Sequence, residues 1–392
     1  MRVLIAAASF SANISGLQRH AFNLAQCLLN APEIECVHFA VAPWQQEMAG
    51  MCGVQLDRRF VLHVAEMDRS SIGRNAWYYR KLPDLAQAVR ADFVHLSYPM
   101  PIDASAFQCP TVVTLHDLYP YEIPMNFGFP KFIFNRLALR QCLSAVDAIA
   151  CVSEATKGKL RRYLPAFSEK AVRIYNCVEP QLVDRTSSAA EGTVREPFLL
   201  CVAQHRKNKN LRLLIRAFRR LLSSGRIDAK TRLLIVGIPG PESRSIHRLI
   251  LRLALSDRVQ LREGLPEDEL QWCYRHCEAL VSPSITEGFG LPVAEALLAG
   301  CRVVCSEISA HWEIGAGRCR FVNLESRGEE RLSDAIVASL SEAKPRGVSL
   351  PELSARKITR QYVELYGKFR SSALEASVAT TMPIATSESQ VL

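Results

Sequence analysis

A chain of 392 residues is longer than one ordinary α/β domain needs, so two domains of about 150 to 200 residues each are expected. With 48% hydrophobic and 22% charged residues it fits neither a disordered nor a collagen-like protein, and no apolar run reaches the roughly 18 residues of a membrane-crossing helix. A net charge of +9 suits anionic partners, and on charge alone nucleic acid, a phosphate-bearing donor and an anionic membrane surface are all admissible.

The opening residues, MRVLIAAAS, read as a first β-strand and not as a signal peptide, which makes the cytosol the expected compartment, possible contact with the inner face of a membrane included. Apolar runs follow at 36–42, 93–96, 111–115, 148–152 and 172–175, with helical patterns between them. Such alternation predicts a parallel sheet covered on both faces. A polar stretch over 181–196 interrupts the pattern and reads as a linker between a first domain, 1–180, and a second, 197–355. In the second domain, strand-like runs recur at 198–202, 232–236, 259–261, 279–281 and 302–305. A helix over 356–370 then crosses back to the first domain, and a Ser/Thr/Ala-rich tail over 371–392 is expected to fray. Thirteen cysteines without a Cys-x-x-Cys pair read as buried, reduced thiols.

In two doubly wound domains, the ligand belongs outside the carboxyl ends of the strands, where loops and helix N-termini meet. Residues 283–300, PSITEGFGLPVAEALLAG, leave a strand, turn through Gly288 and Gly290 and enter a helix at Pro292. Glycines let backbone N–H groups approach a phosphate or sugar oxygen, and Glu287 and Glu295 flank them with carboxylates able to accept hydroxyl bonds. A second loop, Arg206-Lys207-Asn208-Lys209, sits at a strand end and offers cations to a diphosphate leaving group. His116 and Asp117 close the strand 111–115, and Gly16 precedes an amphipathic helix over 21–29. The dinucleotide fingerprint Gly-x-Gly-x-x-Gly is missing, which argues against a dehydrogenase.

The pair Glu287 and Glu295, seven residues between them with GFGLP inside, resembles the signature of family 4 glycosyltransferases, the "group 1" enzymes of the GT-B fold. The resemblance covers roughly residues 1–370 and implies two Rossmann-like domains facing across a cleft. It also implies a retaining hexosyltransferase that takes its sugar from a nucleotide donor, with GDP-mannose or a UDP-hexose favoured. Glycan or lipid-linked acceptors of the cell envelope would receive it, peripheral contact with an anionic membrane is admissible, and nucleic acid is not expected as a partner. By resemblance Glu287 contacts the transferred sugar, Phe289, Gly290 and Leu291 bind sugar and phosphate through backbone, and Glu295 holds the ribose. Arg206 and Lys209 take the diphosphate, His116 lines the cleft beside the sugar, and Gly16 belongs to the glycine loop of the first domain. Ser15, Cys177 and Ala203 stand where glycine is usual in the family. No Asp-x-Asp occurs, so neither a metal nor a cofactor is expected. Rival readings are an epimerase on the same scaffold and a non-catalytic nucleotide or nucleic-acid binding protein.

Overall fold

The computed structural model describes residues 1–11, 16–47, 57–179 and 196–381. The first sheet contains β1 (Arg2–Ala6), β2 (Cys36–Val41), β3 (Phe60–Val64), β4 (Phe93–Leu96), β5 (Thr111–Leu115), β6 (Ala148–Cys151) and β7 (Ala171–Arg173). The second contains β8 (Phe198–Val202), β9 (Arg232–Val236), β10 (Val259–Arg262), β11 (Ala279–Ser282), β12 (Val303–Ser306) and β13 (Arg320–Val322). Their orders are β3-β2-β1-β4-β5-β6-β7 and β10-β9-β8-β11-β12-β13, and every pairing is parallel. The fold is thus a pair of Rossmann-like domains of GT-B type.

Burial on both faces explains why the central strands are short, continuous apolar runs. Along β1, Val3 and Ile5 pack on one side of the sheet with Phe22 and Phe39, while Leu4 and Ala6 pack on the other with Tyr78 and Leu143. The two strands absent from the sequence expectation, β3 and β13, are edge strands. Partial exposure along β3 and a length of three residues in β13 leave neither with an uninterrupted apolar run to recognise.

In each domain the strand order reverses beside the first strand, at β1/β4 and at β8/β11. Ala6 is in register with Leu96 and Leu200 with Leu280, so chains leaving these strands diverge to opposite faces and open a crevice there. The helix Gly16–Leu29 and the loops after β8 and β11 occupy those positions.

The last helix, Ala355–Thr381, is longer than expected and runs through residue 370 without a break. Residues 371–381 contain no Gly or Pro to interrupt it. Tyr362 and Tyr366 on this helix are fully buried in the core of the first domain, Tyr366 Oη meets His95 Nδ1 at 2.7 Å, and Thr359 Oγ1 donates to Cys27 O at 2.7 Å. The expected linker, 181–196, falls outside the described residues except for Glu196, and so does Ser15.

Candidate active site

The loop after β11 presses against the first domain. A Cβ on Gly288 would lie 1.7 Å from the carbonyl oxygen of His116, so only glycine permits this approach. Gly290 has φ +103°, in the left-handed region, and caps the helix Leu291–Leu298, whose first turn contains Pro292. The Gly290 and Leu291 N–H groups stand at the helix start, where no intrahelical carbonyl reaches them. Opposite, the Cβ position of Gly16 at the start of helix Gly16–Leu29 is 3.8 Å from Leu291 Cδ1. Two helix N-termini, one per domain, therefore converge on one point, and their dipoles favour an anion there.

Glu287, in the same loop, is buried. Lys209 Nζ donates to both of its oxygens, at 2.6 and 2.7 Å; Ser284 Oγ donates to Oε1 at 2.6 Å, and Tyr119 Oη, from the first domain, to Oε2 at 3.2 Å. Burial alone would push this carboxyl up, but Lys209, His311 and the hydrogen bonds from Lys209 and Ser284 outweigh it and hold it below the usual carboxylate range. Glu287 is therefore a carboxylate acceptor at neutral pH.

His116 follows β5, and its Nε2–H donates to Ser97 O at 2.8 Å. Burial pushes its pKa down to about 4, and the contact with Ser97 only partly opposes this, so the ring is neutral at physiological pH. His20 packs edge-on against it, ring centroids 4.7 Å apart. The neighbouring Asp117 accepts the Tyr119 N–H at 3.0 Å, and desolvation pushes its carboxyl up to about 6 against the pull of Arg206 and Lys159. Arg206 precedes the short turn Lys207–Lys209, and its charge bears on Asp117.

Glu295, on the inner side of its helix, accepts from Arg19 Nη1 at 3.0 Å and from Tyr274 Oη at 2.6 Å. Burial raises this carboxyl above its ordinary range although Arg19 and Tyr274 resist. Arg19 reaches across from the first helix and also binds Glu267 at 2.7 Å. Phe289 buries its ring against Tyr175, centroids 5.9 Å apart, which leaves only its backbone for a ligand.

Further contacts lock the domains in register. Ser153 Oγ and Thr156 Oγ1 donate to Gly288 O at 2.5 and 2.9 Å. Glu313 caps the helix Glu154–Tyr163 by accepting the N–H groups of Glu154 and Ala155 at 2.7 and 3.1 Å. Lys159 Nζ donates to Thr286 Oγ1 at 2.6 Å and to Glu287 O at 2.8 Å, and it pairs with Glu122 at 2.9 Å.

Two family models match consecutive parts of the chain, "Glycosyltransferase Family 4" at residues 14–182 and "Glycosyl transferases group 1" at residues 184–323. The chain belongs to glycosyltransferase family 4. Among curated relatives, the chain is 25% identical to the O-antigen chain mannosyltransferase RfbU of Salmonella typhimurium over 239 residues, 57% of the chain and 62% of that protein. It is 27% identical to the serotype-specific mannosyltransferase WbdA of Escherichia coli over 230 residues, 56% of the chain and 28% of that protein. The matched region thus spans less than two thirds of these relatives. The fold is shared with sucrose-phosphate synthase of Thermosynechococcus elongatus (TM-score 0.71, 17% identity, 95% of this chain and 99% of that one). It is also shared with Anabaena HepE, solved in complex with UDP and glucose (TM-score 0.63, 16% identity, 96% of this chain and all of that one).

Glu287, Lys209, His116, Gly16, Gly290, Leu291 and Glu295 therefore stand where the two domains meet, and Arg206 lies close enough to act on Asp117. Tyr119, Lys159, Tyr274 and Arg19 escaped the reading of the sequence. Tyr119, Lys159 and Arg19 act across the domain boundary, as Arg19 and Glu295 do over 276 positions, while Tyr274 reaches Glu295 over 21.

Proposed function

We propose that the protein is a retaining hexosyltransferase which moves a sugar from a nucleoside-diphosphate donor to a glycan or lipid-linked acceptor in cell-envelope polysaccharide synthesis. GDP-mannose is the favoured donor, with a UDP-hexose next. The supporting observation is the buried Glu287 carboxylate, held by Lys209 and Ser284 of its own domain and by Tyr119 of the other, in the loop that leads into the N-terminus of the helix Leu291–Leu298. The relatives named as O-antigen mannosyltransferases favour mannose and an envelope glycan.

In this reading the β-phosphate sits at the N-termini near Gly16 and Gly290, with the ribose on Glu295. Arg206 and Lys209 offset charge that grows on the diphosphate as the bond from C1 of the sugar to the phosphate oxygen breaks. The acceptor hydroxyl attacks C1 from the same face, and its proton passes to the departing phosphate oxygen. A sugar hydroxyl replaces Tyr119, the longest of the four bonds to Glu287, and the neutral His116 lines the sugar. These cations and dipoles carry the leaving-group charge in a metal-independent reaction.

Nucleotide sugars are screened first for thermal stabilisation, where saturation at about 100 times Kd adds about 2.7 kcal/mol. Nucleoside diphosphate release with acceptor extracts, with and without chelator, then tests transfer. Stabilisation by GDP-mannose and chelator-resistant release support the reading. Donor binding without release in any extract overturns it, and loss of release on chelation overturns metal independence.

A further inference from the structure

Apolar exposure on this molecule is concentrated in one place. Of the thirteen large hydrophobic residues exposed among the described ones, five lie between residues 125 and 137. Met125 (70% exposed) and Phe129 (82%) project from the loop before the helix Lys131–Ala145, and Ile133, Phe134 and Leu137 from that helix. The opposite side of the helix, with Leu139, Cys142 and Leu143, is spent on the core of the first domain. Isolated exposed apolar groups are ordinary, whereas a cluster marks a surface that meets something other than water.

The charge pattern selects the partner. From Ile123 to Val146 there is no Asp or Glu, while Lys131, Arg136 and Arg140 supply three positive charges. Arg136 is folded inward over the rings of Tyr121 and Phe132 and donates to Pro120 O, but Lys131 and Arg140 are exposed. The surface continues across the domain boundary. Lys207 Nζ lies 3.9 Å from Met125 Sδ, Asn126 donates to Asn208 at 3.1 Å, and the half-exposed Ile285 bonds its N–H to Asn208 O. Aromatic and aliphatic side chains interleaved with cations, without an acidic residue, suit the headgroup boundary of an anionic bilayer.

We propose that this face, from Met125 to Arg140, docks on an anionic lipid bilayer. Phe129, Phe134 and Leu137 enter the headgroup boundary, and Lys131, Arg140 and Lys207 meet lipid phosphates. One residue separates Lys207 from Lys209, so docking places the mouth of the crevice against the bilayer. The corollary that a lipid-borne acceptor enters from the membrane plane rests on the glycosyl-transfer reading, whereas the docking itself does not.

The test is co-flotation of the full chain with vesicles of phosphatidylcholine, alone or mixed with phosphatidylglycerol. Wild type is expected to float with the mixed vesicles at least about tenfold better than with phosphatidylcholine alone, and less so as salt rises. The F129S/F134S/L137S and K131E/R140E variants are each expected to lower partition at least about tenfold. F129S alone, at a position that touches solvent on nearly every side, keeps the test valid if the triple variant misfolds. Failure of wild type to float, or wild-type flotation by the variants, overturns the proposal. So does light scattering that shows a wild-type dimer which F129S dissociates while wild type leaves vesicles unbound. Thermal stabilisation by nucleoside diphosphates is measured in parallel: its loss in every protein counts against glycosyl transfer and leaves the docking result standing.

Discussion

Replacing Lys209 by methionine removes the cation from Glu287 while keeping most of the volume. The side chains are only 18% and 9% exposed, so this is a buried pair, and removing one partner from such a pair costs about 3 to 5 kcal/mol. Protonation of Glu287 sets a ceiling near the lower part of that range. A carboxyl that titrates near 4.3 when unfolded takes up a proton at pH 7 for about 3.7 kcal/mol, at about 1.36 kcal/mol per pH unit. In wild type the folded carboxyl is depressed, so its contribution is present above the unfolded pKa and lost as pH falls through the folded one. Without Lys209 the burial that raises the carboxyl prevails, and stability is instead lost as pH rises through the new folded value. The gap between wild type and Lys209→Met is therefore small in acid, below about 1 kcal/mol near pH 4, and opens to roughly 3 to 4 kcal/mol at pH 7. Urea unfolding at both pH values, with Glu287→Gln and the double variant completing a cycle, measures it. A gap of equal size at both pH values, or a double variant no more stable at pH 7 than Lys209→Met, would refute the reasoning.

Other consequences can be read in kinetics. Gly288→Ala should cut turnover about 100-fold, because its Cβ meets His116 O and shifts the two domains by about 1 Å, and circular dichroism should stay native; unchanged turnover removes the contact from the mechanism. Glu295→Gln should weaken nucleoside-diphosphate binding about tenfold or more by calorimetry while Glu287→Gln mainly slows turnover, and identical effects of the two would exchange or erase these roles. Asp117, pushed up to about 6, should give kcat/KM an inflection near that pH, which Asp117→Asn abolishes; its persistence in the variant assigns the inflection elsewhere. His116, at about 4, should add none between pH 5 and 8.

The parts of this molecule legible in sequence are those whose physics is local. Buried strands are continuous apolar runs because both faces are covered, and Gly288 and Gly290 stand beside Glu287 because the backbone there closes on His116 O and then turns through a left-handed conformation into a helix. The edge strands β3 and β13 lacked such a signal, their side chains being half in water or too few. Pairing across the crevice was illegible for a different reason. That Lys209 is held by Glu287, or that Arg19 shares Glu295 with Tyr274, depends on how two domains meet, and basic residues at 206, 207 and 209 look alike until one is seen to be enclosed. The last helix runs past residue 370 because its Ser/Thr/Ala-rich end, a composition that reads as a loose tail, contains no Gly or Pro up to Thr381.

That last helix also bears on how the protein is made. Ile358, Tyr362, Leu365 and Tyr366 fill the core of a domain whose other residues all precede position 180. During synthesis the first domain leaves the ribosome with this gap in its interior and cannot complete it until nearly two hundred further residues have been translated. Completion of the first domain's core, and of the crevice beside it, thus waits on a helix translated after the second domain.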